Sequence, residues 1–368
     1  MISMFVTVRL IESRYSIGWT LIFAAVTAVT TNVRIVGAIF PMLLLGYLWL
    51  TGVFEKCKIN TGEKNAHILR TSILIIVGYA VVYIFLMPIC WKNPLEEIIT
   101  VFTKFSDYYA WNGTIVFMGK VLGKEDVPWY YIPIWLLVSL PIWYIILLIL
   151  FFTICFFAII KKVKNHEMTI MVLMRNKYTL WAFLIGFIPW IAAAVLHSTS
   201  YGGWRHFYFI LPPVVFVILS GLNDIRLHLG FNKVLKRGIW IFSIAGLLLQ
   251  AGWIVKNHPH EMVYLNSVGR KWGDSFDRDY WHLSEAELCR RILQEDDSES
   301  VSLNATSPIF MHILDENERK RISLESNPVY YIETYRGKTG NAVQRKGYEE
   351  YYSILVDGYK VGTIFKRK

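Results

Sequence analysis

From Ile132 to Ile160 no side chain carries a formal charge, and this stretch exceeds the ~18–20 residues that read as a bilayer-crossing helix. Such a run restricts the fold, because where water is absent the backbone must hydrogen-bond to itself. Similar runs recur, and spans are expected at about 16–31, 35–53, 71–90, 132–160, 178–196, 207–222 and 238–255. Pro133 and Pro141 predict a tilt or kink in the longest of them. Composition agrees, since 54% of the 368 residues are hydrophobic and 15% aromatic. The expected fold class is an α-helical polytopic membrane protein of about seven transmembrane helices, with a small C-terminal α/β domain. The boundary falls between a transmembrane domain, 1–255, and an extracytoplasmic domain, 256–368.

The net charge of +10 is unevenly placed. Residues 256–368 hold 17 Lys/Arg against 18 Asp/Glu, whereas the first 255 hold 21 against 10. The excess therefore follows membrane topology and does not point to nucleic acid. The start of the chain, 54–70, 161–177 and 223–237 together hold 15 Lys/Arg and 5 acids. The turn at Arg34, the loop 91–131 and the loop around Arg205 hold 6 and 5. The positive-inside rule puts the first set, with the N-terminus, in the cytoplasm. Arg34, the 91–131 loop, Arg205 and everything after Val255 then lie outside. No signal-peptide pattern follows Met1, and Cys57, Cys90, Cys155 and Cys289 lack metal or redox spacing. Neither a Walker loop nor G-x-G-x-x-G occurs, so nucleotide-driven chemistry has no support.

The 91–131 loop has its own pattern. Asn93-Pro94 opens a helix in which Leu95, Ile98, Ile99, Phe102 and Phe105 recur at helical spacing, as expected for a helix lying on the external membrane surface. In the tail a helix is expected at Glu285–Gln294 with Ser284 as N-cap. Strands are expected at Val301–Leu303, Val329–Tyr335 and Tyr351–Phe365, the last turning at Asp357-Gly358. Asn112 and Asn304 lie in N-x-T tripeptides, which carry little weight.

The segment Ser200-Tyr-Gly-Gly-Trp-Arg-His-Phe-Tyr-Phe-Ile-Leu-Pro-Pro213 sits where one apolar run ends and the next begins. It sets Tyr201, Trp204, Arg205 and His206 at a membrane face. Adjacent side chains that donate hydrogen bonds and can carry positive charge suit an anionic headgroup such as a lipid-linked phosphate. The competing reading is that Arg205 and His206 mark a helix end by snorkelling. Arg34 can join them if the bundle brings the two external turns together, and Lys92 can contact phosphate from the long loop. For a general base the loop offers Glu96, Glu97, Asp107, Glu125 and Asp126, and the tail Glu261; solvated surface is the simpler role for each. His258 and His260 form an i, i+2 pair without a third ligand at suitable spacing, so no metal is expected, and no cofactor.

Tyr201-Gly-Gly-Trp-Arg-His-Phe…Pro212-Pro213, His258-Pro-x-x-x-Val-Tyr-x-Asn266 and Asp279-Tyr-Trp-x-Leu-Ser284, with the span–Asn32-Val-Arg34–span unit, resemble the membrane-embedded GT-C glycosyltransferases. The chain looks most like the bacterial group similar to protein O-mannosyltransferases and lipid A aminoarabinose transferases (glycosyltransferase family 39). The likeness runs from about Ser16 to Leu288. It implies a polyprenyl-phosphate-linked sugar donor, an acceptor at the outer face, and Arg34, Lys92, Arg205 and His206 around the donor phosphate. Tyr201, Trp204, Tyr264, Asn266, Asp279 and Tyr280 would line a donor or acceptor groove. Members of that family carry further N-terminal spans and an acidic catalytic loop without counterpart here. The resemblance thus implies a truncated or split form, with the catalytic residue unknown and a partner chain supplying the missing spans. Two other classes stay open. A lipid-linked glycan transporter predicts ionisable residues inside the spans, which are almost free of them. A non-catalytic scaffold predicts that Arg205→Ala alters assembly and leaves lipid binding unchanged.

Overall fold

The computed structural model describes residues 2–55, 61–106, 113–164, 177–195, 201–229, 233–338 and 344–368. Its contacts divide the chain into two compact units. One is Met1–Ala110, Leu150–Thr199 and His206–Gly230; the other is Trp111–Ile149, Ser200–Arg205 and Phe231–Lys368. The units do not follow the expected boundary at Val255, because loop and helix residues from 111–149 are stitched to the tail.

The first unit holds helices α1 (Ile2–Glu12), α2 (Ile17–Val33), α3 (Ile39–Glu55), α4 (Thr61–Leu86) and α5 (Pro94–Ser106). The end of α7 (Ile142–Lys164), α8 (Lys177–Val195) and α9 (Leu211–Leu229) complete it. Its core gathers Leu10, Phe23, Phe40, Leu44, Tyr47, Ile75, Trp181 and Ile185. Threonines inside α2 satisfy their hydroxyls within the helix: Thr27 donates to Phe23 O at 2.8 Å and Thr31 to Thr27 O at 2.8 Å. Arg34 takes extended dihedrals and ends α2. Gly37 then packs onto that end, where a Cβ would stand 2.7 Å from the Thr30 carbonyl carbon.

One expectation is corrected here. Ser3 Oγ lies 2.9 Å from Thr30 Oγ1, whereas the Arg14 carbonyl meets His67 Nε2 at 3.2 Å. Helix α1 therefore starts at the Arg34 end of α2, and the basic segment near Arg14 reaches the end that carries 54–70. The cause is α1 itself: Val6, Leu10 and Ile11 form an apolar stripe that buries antiparallel along α2.

The second unit begins with a hairpin, β1 (Ile115–Phe117) and β2 (Lys120–Leu122), in a region expected to be loop. Met118 and Gly119 both have positive φ, 51° and 77°, as a two-residue turn matching strand twist requires. Next come α6 (Tyr131–Ser139), the start of α7, and α10 (Lys233–Asn257). The expected single span at 132–160 is broken: α6 and α7 meet at 116°. Pro141 has no N–H to give Leu137, and Leu140 before it is extended, with ψ 140°.

The tail folds as the α/β domain expected: α11 (Leu283–Glu295), α12 (Glu316–Lys320) and a five-stranded sheet ordered β4-β3-β5-β7-β6. The strands are β3 (Val301–Ala305), β4 (Ile322–Leu324), β5 (Tyr330–Thr334), β6 (Tyr348–Val356) and β7 (Tyr359–Arg367). β3 runs parallel to β4 and β5, and β7 antiparallel to β5 and β6. Asp357-Gly358, at φ 50° and 91°, makes the expected turn. Leu288, Cys289 and Ile292 of α11 pack with Leu303, Ile332, Val361 and Ile364 in one core. Ser284 is not the N-cap of α11. The helix starts at Leu283, and the Asp279 carboxylate accepts the N–H groups of Leu283 (2.8 Å) and Ser284 (3.0 Å). A carboxylate there opposes the positive end of the helix dipole.

Among the described residues three helices are long and apolar enough to cross a membrane: Asn65–Leu86, Lys177–Val195 and Arg237–Asn257. Counting the bent pair as one span gives four. The remaining expected spans correspond to the shorter apolar helices Ile17–Val33, Ile35–Thr51 and Arg205–Ser220.

Candidate functional site

In the first unit, Arg34 and His206, 172 positions apart in sequence, meet: Arg34 Nη2 lies 3.4 Å from His206 Nδ1. A guanidinium only donates, so Nδ1 accepts and the ring proton sits on Nε2. The extended residue at Arg34 and the 3-10 turn Arg205–Ile210 place them there. Lys92 is exposed just before α5, and among the described residues no hydrogen bond or ion pair joins its ammonium to either of them.

The second unit holds Tyr201, Trp204 and Arg205. Gly202 and Gly203 are both left-handed, φ 64° and 71°, which turns the chain back sharply. A Cβ on Gly202 would stand 3.2 Å from both Arg205 Nε and the Tyr280 ring. The turn is pinned to both ends of α6: the Gly203 N–H donates to Tyr131 Oη at 3.1 Å, and Trp204 Nε1 donates to Ser139 Oγ at 2.6 Å. Arg205 then projects among aromatics. Its guanidinium carbon lies 4.8 Å from the Tyr201 ring centre, 4.2 Å from Tyr280 and 5.1 Å from Trp281, and Nη2 donates to Tyr280 Oη at 3.0 Å.

Tyr280 carries a second cation that sequence reasoning missed. Arg336, two residues past β5, stacks 4.5 Å from the same ring and donates through Nη1 to His282 Nε2 at 3.2 Å. His282 Nδ1 faces Glu285 Oε1 at 3.0 Å and Thr334 Oγ1 at 3.2 Å. Glu285 is fully buried, and burial raises its pKa. Beside Arg336, Asp277 is pushed up to about 6, chiefly by burial; the Gly337 N–H, donating at 2.8 Å, and the Arg336 charge oppose that shift. An Arg and an Asp among the other charged residues of a polar tail read as solvated surface, so neither gave a signal.

The other expected groove residues lie elsewhere. Asn266 is 1% exposed and works as a plug: Nδ2 donates to Leu137 O (2.6 Å) and Leu140 O (2.7 Å), and Oδ1 accepts from the N–H groups of Val268 and Gly269. Asp279 is buried at the start of α11. Tyr264 packs edge-on to Trp253 at 4.6 Å. Of the groove set, Tyr201, Tyr280 and Trp204 remain with the Arg205 segment.

Of the acids considered as bases, Glu96 accepts from Asn93 at 3.4 Å in the first turn of α5, Glu97 lies in the same turn, and Glu125 and Asp126 are exposed on a 3-10 turn. Asp107 lies outside the described residues, as does Asn112. His258 hydrogen-bonds Glu261 at 2.6 Å, which holds that carboxyl below its ordinary pKa and makes it a weak base. His260 pairs instead with Glu287 at 2.9 Å. Among the described residues no group of three or more His, Cys, Asp or Glu is placed to hold a metal ion. Compared with family models, curated proteins and solved structures, the chain has no match.

Proposed function

We propose that this chain recognises a polyprenyl-phosphate-linked sugar as part of a membrane-embedded glycosyltransferase of GT-C type, which passes the sugar to an acceptor at the outer face. The observation that carries this reading is the meeting of Arg34 with His206 at the ends of apolar helices. A phosphate leaving group needs its developing negative charge stabilised, and a guanidinium beside an imidazole N–H offers donors that match its oxygens. Support also comes from the Arg205 cluster, where a guanidinium is held rigid against three rings. The apolar helices favour a lipid-borne donor, and the sequence resemblance favours sugar transfer.

The test is binding of a polyprenyl phosphate, against the corresponding polyprenol, to the chain in lipid nanodiscs. Arg34→Ala and Arg205→Ala should each weaken the phosphate form at least ~10-fold, the cost of one charge-assisted hydrogen-bonded contact, and leave the alcohol unaffected. Unchanged affinity in both variants would sink the reading.

A further inference from the structure

We propose that Arg336, stacked on the ring of Tyr280, binds the oxyanion of a phosphate ester, and that the Glu285–His282 pair positions it. The proposal rests on the lipid-phosphate reading above and extends donor recognition to the α/β domain.

Arg336 is half-buried, and among the described residues it forms no ion pair. Its partners are the Tyr280 ring and the Nε2 lone pair of His282. A neutral imidazole satisfies one N–H of a guanidinium and brings no negative charge, so the cation is withdrawn from water without a contacting anion. Asp277 lies near enough to feel that charge, but its Oδ1 accepts the Gly337 N–H. A planar guanidinium in this state suits a ligand that supplies two oxygens at once.

The positioning is built in depth. His282 is 4% exposed and held at φ 57°. Because Arg336 can only donate, Nε2 must accept, which places the ring proton on Nδ1, facing Glu285 Oε1. The Ser307 N–H donates to the same Glu285 oxygen at 3.0 Å. Glu285 Oε2 has no hydrogen-bond partner among the described residues. A fully buried carboxylate left half unsatisfied is costly, and holding His282 in one orientation gives it a task.

The whole chain in nanodiscs would be titrated calorimetrically with polyprenyl phosphate, with polyprenol and with inorganic phosphate. Arg336→Ala should weaken polyprenyl phosphate at least ~10-fold, and millimolar guanidinium should restore part of that affinity. Arg336→Lys keeps the charge but loses the fork, so it should bind at an intermediate level even if the alanine variant fails to fold. His282→Leu should weaken binding, and His282→Gln, whose amide oxygen can still accept from Arg336, should recover it; a merely structural histidine would not show that split. Wild-type affinity in folded Arg336→Ala overturns the proposal. Binding that depends on Arg34 and Arg205 but not on Arg336 does so too, and leaves the donor reading standing. Arg336-dependent binding of inorganic phosphate without any of polyprenyl phosphate keeps the Arg336 oxyanion site and removes the lipid reading. Binding of neither probe removes both.

Discussion

Asp277 shows how one side chain can carry a stability signature. Its carboxyl has an ordinary value of 3.8 and is raised to about 6 in the fold, mainly by burial. The folded chain thus holds this proton more tightly than the unfolded one. The group's contribution is most favourable at low pH and declines as pH rises from about 3.8 to about 6. Asp277→Asn retains an acceptor for the Gly337 N–H and removes the buried charge. The variant should therefore be more stable than wild type at pH 7, by ~2–3 kcal/mol at most, and should match it near pH 4. Thermal unfolding of the solubilised chain at the two pH values checks this; an equal difference at both would exclude the titration as its cause. Residues of this kind were not legible in sequence. Arg336 and Asp277 act through partners far along the chain, and nothing in their immediate neighbours distinguishes them from ordinary polar residues; Asn266 stood out in its motif, but for a groove and not for the carbonyls that it binds. Arg34 and His206 could be singled out as hydrogen-bonding groups at the ends of apolar runs, but that the two meet was visible only in the fold.

At the scale of elements, the break between α6 and α7 was half visible. Pro141 foretold a kink, but a turn of 116° leaves carbonyls without a partner in the helix, and a distant donor meets them. That donor is Asn266, whose backbone N–H also bonds Val138 O at 2.8 Å. Next to it Gly269 permits the approach, since a Cβ there would lie 2.6 Å from Val138 Cβ. Asn266→Ala leaves two carbonyls and two N–H groups buried without this partner, and should destabilise the second unit by ~2–4 kcal/mol. Asn266→Asp keeps the acceptor and loses both donors, so it should recover little. Chemical denaturation followed by fluorescence measures both; a loss under ~0.5 kcal/mol in the alanine variant would mean that water replaces the plug. Elements with internal rules were easier to read: charge-free runs marked the helices, and Asp357-Gly358 marked the β6–β7 turn. The three-residue strands β1, β2 and β4 were missed because so few residues show no alternation.

At the scale of the molecule, α10 is the plainest statement about surroundings. The apolar window of Arg237–Asn257 is only 6% buried, with Ile241, Leu248 and Leu249 uncovered. A helix this apolar and this bare favours lipid as its solvent. Orientation is tested with single cysteines in a background lacking the four native ones. If Arg34 and the α/β domain face outward, Ser298→Cys in intact cells should react with a membrane-impermeant maleimide. Asn65→Cys should react only after permeabilisation; the reverse pattern would invert the assignment. The beginning of the chain foretold the wrong end of α2, since charge counting weighs Arg9 and Arg14 but cannot see that α1 doubles back beside Thr30.

The Asn266 plug also imposes an order of events during synthesis. The Leu140 carbonyl waits for a side chain 126 positions further on. Until that residue leaves the ribosome the break has no internal partner for its exposed oxygens, although everything needed to form α6 has been made. The bend itself is set locally by Pro141 and the extended Leu140, and what depends on Asn266 is the internal partner of its exposed carbonyls.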